Sequence, residues 1–117
     1  MKFDAGFTNI SSAGTRVKWS SDGGLSASDR FVKAEFKAPI GNTGAIYIGI
    51  ADVKGTATIH GFEISPPVAG RPSVPFVLNP GDYQEPGQKI PSMLVDSIQF
   101  DAANNGDKVS WAVMLKE

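Results

Sequence analysis

The stretch Val32-Lys33-Ala34-Glu35-Phe36-Lys37-Ala38 alternates apolar and charged residues at every step. Successive side chains of an extended strand point to opposite faces, so Val32, Ala34, Phe36 and Ala38 share one face and Lys33, Glu35 and Lys37 the other. Wound as a helix, the same residues would scatter their charges around most of the circumference. The segment therefore reads as a half-buried strand. Pro39 has no N–H to give a ladder and ends it.

The period of two recurs on either side. Phe3, Ala5 and Phe7 alternate with Asp4, Gly6 and Thr8, and Thr15-Arg16-Val17-Lys18-Trp19 sets Val17 and Trp19 against Arg16 and Lys18. Gly41-Asn42-Thr43-Gly44 is a polar turn leading into Ala45-Ile46-Tyr47-Ile48-Gly49-Ile50-Ala51, which is apolar on both faces and so expected at the centre of a sheet. Gly49 inside it suggests a bulge or a close backbone approach. Shorter runs follow at Ala57-Thr58-Ile59 and Gly61-Phe62-Glu63-Ile64. Ser97-Ile98-Gln99-Phe100 and Val109-Ser110-Trp111-Ala112-Val113-Met114-Leu115 then flank Asn105-Gly106, a hairpin signal. Val109, Trp111, Val113 and Leu115 share a face and should form a pillar of the core. Seven or eight short strands separated by turns predict an all-β fold, an antiparallel β-sandwich with the jelly roll among its arrangements.

With 117 residues and no internal repeat, the chain (1–117) makes one domain. Residues 66–91 hold seven of its 8 prolines, which forbids a central strand or a useful helix there. Yet Val74-Pro75-Phe76-Val77-Leu78 is too apolar for a free linker, and Asn79-Pro80-Gly81-Asp82 has the residues of a type II turn. We read 65–91 as an ordered excursion lying either on its own sandwich or on a neighbour.

Composition narrows the function. Cys 0 and His 1 exclude disulfides, thiolate metal sites and a histidine-rich centre within one chain. Lys+Arg 11 against Asp+Glu 12 leave a formal net charge of -1, with no arginine stripe for nucleic acid and no polybasic amphipathic segment for a membrane. The N-terminus lacks the apolar region of a secretory leader. Ser residues occur without a nucleophile-elbow pattern, and His60 has no marked partner, so an enzyme is not expected. No cofactor or metal is expected either. Asp101, Asn104, Asn105 and Asp107 gather oxygen ligands in one turn, but their spacing does not fit a calcium loop, and such residues ordinarily bond turn backbone.

Gly14-Thr15-Arg16-Val17, Gly41 to Gly49, Gly61-Phe62-Glu63-Ile64 and Asn105-Gly106-Asp107-Lys108-Val109, in that order, give the chain a resemblance to small structural proteins of tailed-phage virions. A Pro-Gly turn before the penultimate strand, at Pro80-Gly81 or Pro86-Gly87, belongs to the same series. The resemblance implies a β-sandwich on the capsid surface: a cement or decoration protein that binds the phage's major capsid protein across capsomer joints and stabilises the head. It also implies a homo-oligomer, with a trimer matching the threefold positions of capsids. The chain departs from the pattern at 65–91, where the family's link is short. Partner contacts are therefore expected on Pro72, Val74, Phe76, Leu78 and Tyr83, and deletion of 72–78 should leave a folded monomer that no longer assembles. The alternative is a tail or baseplate component that binds carbohydrate. Of the candidate sugar platforms Trp19, Tyr47, Tyr83 and Trp111, the two tryptophans alternate as core and only Tyr83 is expected to be exposed.

Overall fold

The computed structural model describes residues 2–50, 62–68, 71, 73–82 and 92–116. Their strands, in chain order, are β1 (Lys2–Asn9), β2 (Val17–Lys18), β3 (Arg30–Lys37), β4 (Ile46–Ile50), β5 (Phe62–Ile64), β6 (Phe76–Leu78), β7 (Met93–Leu94), β8 (Ile98–Ala102) and β9 (Lys108–Lys116). All pairings are antiparallel, in two sheets. One runs β1-β9-β3-β6, with β7 also on β3, and the other β2-β8-β4-β5. Strands of the two sheets interleave along the chain, which is the jelly-roll form of the sandwich. The N-terminal strand ends up at the edge of its sheet, beside the C-terminal one.

Between the sheets lies an aromatic centre. Trp19 is fully buried and meets Phe31, Phe36, Phe100 and Trp111 edge-on, at ring-centroid distances of 5.2, 4.9, 6.2 and 5.8 Å. Such geometry brings the positive ring edge to the negative face. Val109, Trp111, Val113 and Leu115 are buried on one face of β9, as their alternation predicts, and β4 is central with Ile46 and Ile48 interior.

Several local expectations are corrected. The β3–β9 register slips between Phe31 and Lys33, a bulge that changes the phase of the strand. Phe31 therefore joins Ala34, Phe36 and Ala38 in the core, while Val32 is half-buried. Trp19 leaves the ladder after a two-residue β2 and enters the core from a 3-10 turn, Trp19–Asp22. Gly49 marks no bulge against β8, where the register is unbroken, and among the described residues a Cβ there meets nothing within 4 Å. Pro80–Asp82 forms a 3-10 turn closed by Asp82 N–H on the Asn79 carbonyl at 2.9 Å. Gly81 is not among the positive-φ glycines that a type II turn needs.

The expected closing hairpin is also absent. Asn105-Gly106 does turn the chain, with Gly106 at φ 81°, but β8 and β9 belong to different sheets. Both strands carry a buried apolar row. Placing them in opposite sheets lets Ile98 and Phe100 face the β9 row across the core. Ala57-Thr58-Ile59 and His60 lie outside the described residues.

Candidate functional site

The acidic turn is a fastener. Asp107 is buried, and its carboxylate accepts the N–H groups of Thr43 at 3.0 Å and Gly44 at 2.9 Å. Asp101, also buried, accepts Gly14 N–H at 2.9 Å and Ala102 N–H at 2.8 Å, and Asn105 Oδ1 accepts Ala13 N–H at 2.8 Å. Asn42 and Lys108 bond reciprocally, side-chain amide to backbone, at 2.7 and 3.1 Å. Three loops are thus bound together at one end of the sandwich. The carboxylate lone pairs go to backbone donors, and among the described residues no three His, Asp or Glu side chains form a group able to hold a metal.

Where the excursion is described, Ser73 and β6 bind it to its own subunit. Ser73 Oγ accepts Ala38 N–H at 3.0 Å and donates to the Ala38 carbonyl at 2.9 Å, finishing the β3 edge where Pro39 interrupts it. β6 pairs with β3, and Leu78 is fully buried, so Leu78 is not available to a partner. Phe76 is half-buried and stacks on Phe62 with 4.4 Å between centroids; Val74 is 82% exposed. Pro72 and Tyr83 lie outside the described residues. Phe62, Pro66, Val68, Val74, Pro75 and Phe76 line an open groove of about 530 Å³. Deleting 72–78 would remove β6, Leu78 and the Ser73 pair, so the expectation of a folded deletion mutant does not survive this packing. Trp111 is interior, as its alternation predicts, and Trp19 is interior too, carried there by the 3-10 turn.

A different surface emerges at β1, whose amphipathic pattern is turned inside out. The inward positions carry Asp4, Gly6 and Thr8; Phe3 and Phe7 face outward, 67% and 55% exposed. The cause is Trp111 on the neighbouring strand. Its indole lies across the inner side of β1, where a Cβ on residue 6 would come within 2.8 Å of Cζ2. Its Nε1 donates to the buried Thr8 Oγ1 at 3.0 Å, and that hydroxyl donates to the Trp19 carbonyl at 3.1 Å. A small residue and a hydroxyl are what this space accepts.

On the outer face, register sets Phe3 beside Met114 and Lys33, Ala5 beside Ala112, Glu35 and Val77, and Phe7 beside Ser110 and Lys37. Met114 is 37% and Val77 41% exposed, which extends the apolar patch across the sheet. A shallow cavity of about 230 Å³ opens among Phe3, Lys33, Glu35, Ala112 and Met114.

The outer edge of β1 is guarded. Asp4 accepts Ala5 N–H at 2.8 Å, and Asp22 Oδ2 accepts both Asn9 N–H at 2.5 Å and Asn9 Nδ2 at 2.7 Å. Residues of one parity aim their N–H groups at the same edge of an antiparallel strand, so these carboxylates occupy two of the donors an added strand would use.

No family model, curated protein or solved structure matches this chain. The surfaces above therefore carry the functional argument, together with the order of motifs in the sequence. Alternation along Val109-Ser110-Trp111-Ala112-Val113 was sufficient to place Trp111 in the core, but nothing in the sequence of β1 signals the outward turn of Phe3 and Phe7. That depends on which strand lies beside β1.

Proposed function

We propose that the protein is a structural component of a phage virion, a capsid cement or decoration protein that binds the major capsid protein across capsomer joints. The observation that carries the contact role is the outward face of β1: Phe3 and Phe7 lie outside while Asp4, Gly6 and Thr8 lie inside. An apolar patch that contributes nothing to its own core is the usual mark of an interaction surface. The virion setting comes from the motif order at Gly14–Val17, Gly41–Gly49, Gly61–Ile64 and Asn105–Val109. Jelly rolls occur in viral capsid and lectin domains alike, so the fold is compatible with the setting and does not select it.

The mechanism is mechanical. Covering Phe3 and Phe7 contributes roughly 1–2 kcal/mol each, scaled from full side-chain burial by their present exposure. A symmetric shell repeats that gain at every copy, and mass action then favours the bound lattice. The contact face is already paired, β1 on β9 on β3, so little backbone entropy is lost on docking. Assembly as a homo-oligomer, a trimer at threefold positions, belongs to the same proposal.

Purified protein added to undecorated capsids tests it by co-sedimentation, with its mass measured beforehand by light scattering. Saturable uptake and a raised capsid disruption temperature are expected. Absence of uptake at every concentration refutes the cement role.

A further inference from the structure

We infer that the outward face of the β1-β9-β3 sheet docks flat onto a protein surface that is apolar at its centre and carries carboxylates around it. This rests on the contact role proposed above and gives its partner a chemistry. The whole chain has a net charge of -1, yet the outward positions of β3 and β9 carry Arg30, Lys33, Lys37, Lys108 and Lys116 against Glu35 alone. Of the acids elsewhere, Asp22, Asp101 and Asp107 accept backbone N–H groups as described, and Asp96 accepts the Ser20 N–H and hydroxyl at 3.2 and 2.9 Å.

The cations border the apolar patch. Lys33 stands in register with Met114 and Phe3, Lys37 with Ser110 and Phe7, and Lys108 Nζ lies 5.5 Å from the Phe7 ring centroid. A carboxylate-bearing surface is the complement to this arrangement. A second copy docked face to face would bring lysine rows together. An anionic bilayer would meet Glu35 in the middle of the β3 row, between Lys33 and Lys37. Strand addition at β1 is opposed by Asp4 and Asp22, which leaves the flat approach.

The test titrates isotope-labelled protein with a soluble peptide of alternating leucine and glutamate, followed by amide chemical shifts. Vesicles of equal parts phosphatidylserine and phosphatidylcholine are titrated separately. Shifts are expected on β1, β9 and β3, with affinity falling about tenfold between about 50 and about 500 mM NaCl. The double variant Lys33→Glu, Lys37→Glu should weaken binding by about tenfold or more, whereas Glu35→Gln should bind at least as well as wild type. Shifts confined to another face, salt-independent binding, tighter binding to vesicles, or a stable dimer through Phe3 would each overturn the inference. Undecorated capsids separate this claim from the one it rests on. Uptake unaffected by the lysine reversals overturns the inference alone, and no uptake alongside the expected peptide response refutes the virion role alone.

Discussion

Thr8→Val probes why β1 faces the wrong way. Thr8 is fully buried, receives Trp111 Nε1–H at 3.0 Å and donates to the Trp19 carbonyl at 3.1 Å. Valine keeps the shape, removes both bonds and leaves the Trp111 donor stranded. Each neutral bond contributes about 1 kcal/mol net, and a buried orphaned donor costs about 1–3 kcal/mol. The added methyl group returns about 0.8 kcal/mol. The expected loss is about 1–3 kcal/mol, or a Tm lower by about 4–12 °C at about 4 °C per kcal/mol for a domain of this size. In a Trp111→Phe background there is no donor to strand, so the same change should cost about 1 kcal/mol or less. Urea unfolding of the four proteins gives the coupling directly, expected at about 1–2 kcal/mol. Strict additivity, or a neutral Thr8→Val, would refute the view that this bond sets the inner face of β1.

Other positions give sharper contrasts. Gly6→Ala places a methyl group against the Trp111 ring and should cost about 1–3 kcal/mol by thermal unfolding, although alanine is otherwise favourable for an extended backbone. Asp107→Ala strands the Thr43 and Gly44 N–H groups and should lower stability by about 2–3 kcal/mol, while calcium or EDTA leaves the wild-type Tm unchanged. Leu78→Ala should cost about 2–5 kcal/mol, and Val74→Ala less than about 0.5 kcal/mol, separating the core member of the excursion from its exposed one.

Alternation is a strong signal where one strand face is sealed, and β9 and most of β3 follow it. It fails at Val32 because a bulge shifts the phase, and no residue in Phe31-Val32-Lys33 announces the extra step. At β1 the pattern is clear, but its direction is not. Which set faces inward is decided by Trp111, a neighbour only once β9 has been placed beside β1. The Asn105-Gly106 turn was legible as a turn and misleading as a hairpin, since a local signal cannot say whether the next strand stays in the same sheet. The acidic cluster was legible as a set of backbone acceptors, but not its partners: beyond Ala102, they are Ala13, Gly14, Thr43 and Gly44, in loops far away in sequence and not in its own turn. Leu78 was legible as apolar. Its burial follows from β6 pairing with β3.

The most direct measurement is hydroxyl-radical footprinting of the protein free and bound to capsids, read by mass spectrometry at single residues. Phe3, Phe7 and Met114 should be reactive in the free protein and protected when bound, while Val68 and Val74 keep their reactivity. Protection of Val68 and Val74, with Phe3 and Phe7 still open to solvent, would contradict the contact role of β1.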